Sequence, residues 1–260
     1  MVEEIFFGIL IILLGLVFGS FFNVCISRIP RKESVVFPAS HCPNCGNNIK
    51  YIDNIPLLSF LLLKGRCRSC KKKINWHYPL VEFITPILFL LLFWNNHYQF
   101  DVNFFRDIIF ISAGIIIFFI DLHHQIIPDV ITLPLIVIGL GLSLIPGNEL
   151  EFKAAFLSGI GGFVFFLLSA LLISYLLKRE SLGGGDIKYV ALIGVYTGPA
   201  GLLFTVLFSS VLAMIFLVLI NHQKGREFPF GPFLAIGSGL YLLAGDRIID
   251  LYLDLAFNYL

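Results

Sequence analysis

Long apolar segments without charged residues recur along the chain, separated by short polar connections. Five of them contain no Asp, Glu, Lys or Arg: residues 5–27, 83–100, 130–148, 154–177 and 228–245. Each is close to the roughly 20 residues that an α-helix needs to cross a bilayer. Residues 104–120 form another such segment, with Arg106 and Asp107 as its charged positions. The pattern predicts membrane-spanning helices in these regions.

The longest uncharged segment, residues 189–223, is predicted to contain two helices. Thr197-Gly198-Pro199 interrupts it, and proline ends or kinks a helix because it lacks an N–H and clashes with the preceding turn. The resulting fold class is an all-α polytopic membrane protein with about eight transmembrane helices. The first segment is expected to be retained, because Glu3 and Glu4 rather than basic residues precede it and no small-residue cleavage site follows it.

Composition supports a membrane protein over a soluble domain. The chain is 58% hydrophobic and 13% charged, and its mean hydropathy is +0.90. A soluble domain is typically about 45–50% apolar and about 25% charged.

Charge is distributed unevenly along the chain and predicts the orientation. Residues 28–78 hold ten Lys or Arg and two acidic residues, a net charge of +8. Basic loops stay on the cytoplasmic side, so this loop is predicted to be cytoplasmic and the N-terminus outside. The same alternation places residues 121–129, 178–188 and 224–227 on the cytoplasmic side. A solvated loop beside the lipid bilayer explains the basic residues, and nucleic acid is not a predicted partner.

The predicted organisation has three parts. Residues 1–28 form the first transmembrane helix, 29–78 a small cytoplasmic domain between helices 1 and 2, and 79–260 a membrane domain of seven helices.

Four of the five cysteines lie in the cytoplasmic loop, as Cys42-Pro-Asn-Cys45 and Cys67-Arg-Ser-Cys70. Two C-x2-C pairs at this spacing can provide a tetrahedral tetrathiolate site for Zn2+. Gly46 suits the tight turn after the first pair. The cytoplasmic placement disfavours disulfides. The predicted zinc is structural, because four thiolates leave no position for water.

Three aspartates at predicted membrane edges are candidates for chemistry: Asp121, Asp129 and Asp186. Asp129 reads well as a helix cap, and Asp186 could cap similarly. Against a plain cap at Asp186, the preceding Gly183, Gly184 and Gly185 allow the backbone to approach a partner closely and leave room for an extended peptide.

Asp121 and Asp186 both fall on the predicted cytoplasmic side, although 65 residues separate them. Two carboxylates brought together share a proton, which gives a general acid beside a general base, as in aspartic proteases. Spacing alone leaves a proton relay open as well. His123 and His124 are adjacent and point about 100° apart on a helix, so they are predicted to be solvated rather than metal ligands.

Six segments, in order along nearly the whole chain, resemble the type IV prepilin peptidases, bacterial GxGD aspartic proteases of the inner membrane. GSFFNVCISRIP (19–30) resembles the first-helix motif, and CPNC and CRSC the zinc-binding cysteines. NWHYPLVEF (75–83) resembles the entry to helix two. DLHHQIIPD (121–129) and GGGDIK (183–188) resemble the two aspartate motifs, and FPFGPFLAIG (228–237) the last-helix motif.

The resemblance implies Asp121 and Asp186 as the catalytic pair, with Asp129, Gly183, Gly184, Gly185 and Lys188 in support. It implies type IV prepilins or pseudopilins as substrates, cut after Gly in a short basic leader at the cytoplasmic face. It also implies N-methylation of the new N-terminus with S-adenosylmethionine, and Asn23, Arg28 and Glu82 are candidates for lining that site, although caps or anchors explain them equally well.

Three alternatives stay open at this point. The chain could be a peptidase without methyl transfer, an ion-coupled transporter that uses the carboxylates in a proton relay, or a zinc-domain scaffold for pilus-assembly proteins. The absence of inverted repeats disfavours the transporter.

Overall fold

The computed structural model describes residues 2–178, 183–219 and 228–257. These residues form eight α-helices: α1 (Val2–Arg28), α2 (Leu58–Leu62), α3 (His77–Asn95), α4 (Val102–His124), α5 (Asp129–Leu142), α6 (Phe152–Leu177), α7 (Gly184–Leu219) and α8 (Gly231–Phe257). Two short 3-10 helices, Ile29–Arg31 and Tyr51–Asn54, lie between α1 and α2. The predicted cytoplasmic loop 224–227 and residues 179–182 of the loop 178–188 lie outside this description.

The all-helical fold is confirmed in the described parts of the chain, where extended pairing is limited to two isolated bridges, His41 with Asn48 and Arg66 with Lys73. Among the described helices, α1, α3, α6 and α7 are long and apolar enough to cross a membrane. Two apolar helices are shorter, Asp129–Leu142 and Gly231–Gly245. The structure therefore supports a membrane protein with at least four candidate spans.

The chain divides into two compact units, one ending at Gln99 and the other beginning at Phe100. In the N-terminal unit, α1 packs along α3. Gly15 and Gly19 lie one turn apart on α1 and face the α3 backbone, so that a Cβ at Gly19 would lie 2.9 Å from Glu82 Cα. Small residues at this spacing let two helices approach closely in a membrane.

In the C-terminal unit, α7 packs against α5, α6 and α8. Gly194 allows a close approach to α6, because a Cβ there would lie 2.6 Å from the Ser158 carbonyl oxygen. The predicted interruption of the longest apolar segment is confirmed at Gly198, whose φ of 68° and ψ of −170° divide α7 into two helices. A positive φ of this kind suits glycine, and Pro199 then starts the second helix.

Candidate active site

The C-terminal unit buries Asp121 in the last turn of α4, with 5% of its surface exposed. Its Oδ2 accepts a hydrogen bond of 3.0 Å from the backbone N–H of Gly231, which is 110 residues further along the chain. Gly231 is the first residue of α8. The partial positive charge of a helix N-terminus favours a negative charge at this position. The Asp121 carboxylate is therefore positioned by two helices: α4 carries the residue, and the start of α8 donates a hydrogen bond to it.

Gly231 must be a glycine for this contact to form. A Cβ at Gly231 would lie 2.6 Å from Asp121 Oδ2 and 3.1 Å from the end of the Ile127 side chain. Gly231 lies in the last-helix motif FPFGPFLAIG, but the motif alone indicates no role for it. The sequence does contain one signal that a helix begins here, because Gly231 directly precedes Pro232 and proline is common in the first turn of a helix.

Asp186 lies in the first turn of α7, where its own N–H donates a 3.1 Å hydrogen bond to the Gly183 carbonyl. Its side chain is half-buried. The side chain turns back toward the glycine segment, since a Cβ at Gly183 would lie 3.1 Å from Asp186 Oδ2. The carboxylates of Asp186 and Asp121 lie within electrostatic range of each other.

The three glycines before Asp186 differ in what surrounds them. A Cβ at Gly185 would lie 2.9 Å from Ile127 Cβ, whereas a Cβ at Gly184 would meet nothing within 4 Å. Close backbone approach is therefore required at Gly185, while Gly184 faces open space.

Ile127 is a residue that sequence analysis missed. It is 9% exposed, follows the α4 helix end, and lies against both Gly185 and Gly231. One of these glycines directly precedes Asp186, and the other hydrogen-bonds Asp121. Ile127 therefore packs against the start of α7, which carries Asp186, and against the start of α8, which hydrogen-bonds Asp121. An isoleucine in an apolar chain gives no local signal of such a role.

Asp129 is not the helix cap that its position suggested. The N-cap of α5 is Pro128, and no side chain caps this helix. Both carboxylate oxygens of Asp129 instead accept 2.7 Å hydrogen bonds from Lys188 Nζ. This partly exposed ion pair connects the first turns of α5 and α7 beside Asp186.

The two histidines after Asp121 are exposed, as predicted for solvated side chains. His123 Nδ1 lies 2.7 Å from the Phe119 carbonyl oxygen, which fixes its ring along the helix. Among the described residues, the group that gathers metal-ligating side chains is the cysteine cluster of the N-terminal unit.

The four sulfur atoms of Cys42, Cys45, Cys67 and Cys70 all lie within 4.8 Å of one another. The Cys42 and Cys70 sulfurs are 3.9 Å apart. Zinc bonded to sulfur at about 2.3 Å in a tetrahedron requires sulfur separations of about 3.8 Å. The cluster therefore fits one tetrahedral metal ion.

The two cysteine loops have the same backbone structure, 25 positions apart. Cys42 N–H donates to the Asn47 carbonyl and Cys67 N–H to the Lys72 carbonyl, each at 2.9 Å. Gly46 has the positive φ expected for the first turn, 70°. The matching position of the second turn is Lys71, with φ of 60°, which sequence analysis did not anticipate.

The thiols of this cluster are not equivalent without a metal. Backbone N–H groups of Cys70 and Ser69 hydrogen-bond Cys67 and lower its pKa to about 7. At Cys45, the Asn47 backbone favours the thiolate, but desolvation and the neighbouring sulfurs outweigh it and raise the pKa to about 11. Four thiolates this close need a cation to offset their repulsion, which is the chemistry of a zinc site.

The structure places the three candidate residues of the methyl-donor site in different surroundings. Asn23 Nδ2 donates to the Tyr78 carbonyl at 3.0 Å, so Asn23 connects α1 to α3. Arg28 donates to the carbonyls of Ser34, Pro38 and Ala39, and so anchors the chain after α1. Glu82 Oε2 accepts a 2.8 Å hydrogen bond from the Leu57 N–H, and Glu82 also lines a cavity.

Two known protein families match different parts of the chain. Residues 13–96 match the bacterial peptidase A24 N-terminal domain, and residues 108–218 match the type IV leader peptidase family. Together the two matches cover most of the chain, and no solved structure matches it.

Individual relatives agree over nearly the whole chain. A prepilin leader peptidase/N-methyltransferase of Pseudomonas aeruginosa is 34% identical, covering 94% of this chain and 93% of the relative. One of Neisseria gonorrhoeae is 32% identical, covering 90% of each. A type 4 prepilin-like proteins leader peptide-processing enzyme of Escherichia coli is 36% identical, covering 88% of this chain and 92% of the relative. The chain belongs to the prepilin leader peptidase/N-methyltransferase family, as the motif resemblance indicated, and the transporter alternative gains no support.

Proposed function

We propose that this chain is a membrane aspartic endopeptidase that removes the basic leader of type IV prepilins or pseudopilins after Gly, and then methylates the new N-terminus. The observation that carries the proposal is the arrangement around Ile127, with a buried carboxylate on one side and a second carboxylate within electrostatic range on the other. The family membership and the shared names of its relatives support both activities.

Asp121 and Asp186 are the proposed catalytic pair. The Gly231 N–H donates to Asp121 and stabilises a negative charge there, so Asp121 is the base that takes a proton from water. Asp186 is the acid that gives its proton to the peptide carbonyl oxygen. The water oxygen bonds to the carbonyl carbon and gives a gem-diol. The C–N bond breaks as the leaving amine takes the proton from Asp121 and one gem-diol hydroxyl returns its proton to Asp186. The new carboxylic acid then releases its remaining proton to solvent. The products are the leader with a carboxylate and the mature chain with a free amine.

Asp129, Lys188 and the glycines at 183–185 support the pair without reacting. The Asp129–Lys188 ion pair holds the start of α7 next to the start of α5. Gly184 leaves space for an extended peptide beside Asp186. These roles explain why the aspartate motifs extend beyond the aspartates themselves.

The eight spans of this proposal are α1, α3, α4, α5, α6, the two halves of α7 on either side of Gly198, and α8. The basic residues 28–78 place the cysteine loops in the cytoplasm and the N-terminus outside. A three-part division into residues 1–28, 29–78 and 79–260 follows, with zinc holding the middle part and S-adenosylmethionine donating the methyl group. The catalytic edge is then cytoplasmic in a bacterial inner membrane, where the leader of the substrate is exposed.

Mass spectrometry of a prepilin incubated with the purified, zinc-loaded protein and S-adenosylmethionine tests both activities. The expected product lacks the leader and carries one added methyl group on its new N-terminus. Cleavage without methylation would leave the peptidase activity standing and contradict the proposed methyl transfer. An intact prepilin, with protein shown to be folded, would contradict the proposal.

A further inference from the structure

Tyr189 is a tyrosine of α7 that lies just beyond the second aspartate motif, which ends at Lys188. It follows Asp186 by three residues, and residues three or four apart lie on the same face of a helix. None of its surface is exposed. The face of α7 that carries Asp186 therefore continues into the bundle with a fully buried tyrosine.

The Tyr189 hydroxyl reaches the two helices that position Asp121. On α4, a Cβ at Gly114 would lie 3.7 Å from the hydroxyl oxygen, and Gly114 precedes Asp121 by seven residues. On α8, Ser238 is a polar neighbour of the hydroxyl and follows Gly231 by seven residues. Residues seven apart share a helix face. The hydroxyl thus lies on the bundle side of the site, within electrostatic range of the Asp121 carboxylate.

The Tyr189 hydroxyl oxygen has no partner with hydrogen-bond geometry in the described parts of the chain. Ser238 is close, but its own hydroxyl donates to the Ala235 carbonyl oxygen at 3.2 Å. A buried hydroxyl without a partner lowers stability, because it has lost its hydrogen bonds to water. Phenylalanine would fill nearly the same volume without that cost, and the chain contains 28 Phe against 9 Tyr. Packing alone therefore does not explain a tyrosine at this position.

We propose that Tyr189 is a positioning residue for leader cleavage, whose hydroxyl orients the Asp121 carboxylate from the bundle side. This inference rests on the peptidase part of the proposed function. A phenolic O–H rotates about its C–O bond, so its hydrogen can turn toward a nearby negative charge. The Gly231 N–H already holds Asp121 Oδ2. Two dipoles, one from α7 and one from α8, then orient the carboxylate that takes the proton from water.

Burial makes the dipole of one hydroxyl effective. Asp121 is 5% exposed and Tyr189 is not exposed at all, so water screens their interaction little. A dipole that is held in place before the reaction stabilises charge without reorganisation during it. Loss of the hydroxyl should therefore slow the chemical step. Substrate binding should not change, because a fully buried hydroxyl does not contact the substrate.

Tyr196 provides a matched control on the same helix. It follows Tyr189 by seven residues, is 1% exposed, and its hydroxyl also has no hydrogen-bond partner among the described residues. Its charged neighbour is Arg106, which donates hydrogen bonds to Asp107 and Asn148. The two tyrosines therefore share burial and chemistry, and they differ in the charge that they face.

Steady-state cleavage of a prepilin by the purified protein tests this role. Tyr189→Phe removes one oxygen atom and should lower kcat about tenfold with KM unchanged, a smaller loss than the roughly hundredfold of a donor that contacts the reacting atoms. Tyr196→Phe should keep the wild-type kcat and KM. Neither variant should unfold at a lower temperature than the wild type, because each loses an unpartnered buried hydroxyl.

Tyr189→Leu separates the hydroxyl from the packing of the ring, since it removes both. If Tyr189 only packs, Tyr189→Phe should cleave like the wild type and Tyr189→Leu should not, which would overturn the inference and leave the proposed peptidase standing. An equal fall of kcat in Tyr189→Phe and Tyr196→Phe, or a raised KM at unchanged kcat, would overturn it as well. Folded wild-type protein that leaves the prepilin intact would overturn the proposed function and this inference with it.

Discussion

The C-terminal unit positions Asp121 and Asp186 by backbone contact, whereas the N-terminal unit positions its cysteine loops by side chains. In the C-terminal unit, Gly185 and Gly231 allow the N-terminal ends of α7 and α8 to pack closely against Ile127. In the N-terminal unit, Arg28 reaches three carbonyls after α1, and four sulfurs converge on one point. The helical bundle can be built from apolar packing in a membrane, but a small polar loop region has too little core to order itself, and metal binding to the four cysteines can supply the missing stability.

This difference predicts that the two units fail in different ways. A small change in side-chain volume should damage the carboxylate site of the bundle, because its contacts leave no room. The loops should tolerate changes in volume but not the loss of a ligand atom.

Removal of one metal ligand should unfold the cysteine loops. Cys42→Ser is expected to lower zinc affinity at least about a hundredfold and to remove the hydrogen-exchange protection of residues 40–75, because the four-sulfur set is broken. Helices α4 to α8 should keep their protection. Cys25→Ala is the control, since Cys25 lies within α1 and away from the cluster. Full zinc loading in folded Cys42→Ser would contradict the metal assignment.

Addition of one methyl group at Gly231 should damage the bundle site. Gly231→Ala is expected to lower kcat for leader cleavage about a hundredfold, because the new Cβ displaces the Asp121 carboxylate and a shift of about 1 Å costs about this much. Gly141→Ala is the matched control, since a Cβ there meets nothing within 4 Å. A steady-state cleavage assay distinguishes the two. Wild-type kcat in Gly231→Ala would refute the tight contact.

The Asp129–Lys188 pair should have a moderate effect. Lys188→Gln and Asp129→Asn are each expected to lower cleavage about two- to fivefold, because a partly exposed pair is worth about 1 kcal/mol or less. The double variant should be no worse than either single one, since both remove the same contact. Additive losses in the cleavage assay would show that the two residues act separately.

The Asp53–Arg68 pair should have the smallest effect. Arg68 donates two hydrogen bonds to Asp53 and lowers the pKa of the Asp53 carboxyl. The ionised pair therefore stabilises the loops at pH values above the ordinary Asp pKa of about 4. This stabilisation is lost as pH falls through the lower pKa of the folded state. Arg68→Ala should therefore slightly lower the thermal unfolding temperature of the loops at pH 7, with no difference from wild type at strongly acidic pH. Thermal unfolding over a pH series measures the stability difference between Arg68→Ala and wild type. The same difference at every pH would contradict a stabilising Asp53–Arg68 ion pair.

Local signals predicted much of the fold and the metal cluster. The apolar segments, the break at Gly198 and the two C-x2-C pairs are patterns within short stretches, and each has a direct physical cause in helix length, proline geometry or ligand spacing. The positive φ of Gly46 was predictable for the same reason. Lys71 adopts the same conformation without a sequence signal, because the backbone of the second cysteine loop imposes it.

Long-range contacts were not predictable from one sequence. The Gly231 hydrogen bond spans 110 residues and the Lys188–Asp129 bond spans 59. Their formation depends on how α4, α5, α7 and α8 pack, which local periodicity does not encode. Asp129 shows the consequence, since its position after Pro128 suggested a cap while tertiary packing gave it a lysine partner.

Replacement of single aspartates tests most directly whether Asp121 and Asp186 act as a pair. Asp121→Asn and Asp186→Asn should each abolish cleavage of a prepilin, with unchanged thermal unfolding, because each removes one half of an acid–base pair. Asp101→Asn is the matched control on the same helix as Asp121. Asp101 caps the start of α4, where its Oδ1 accepts from the Phe104 N–H at 2.9 Å, and asparagine caps equally well. Near-wild-type cleavage in either of the first two variants would contradict the aspartate pair.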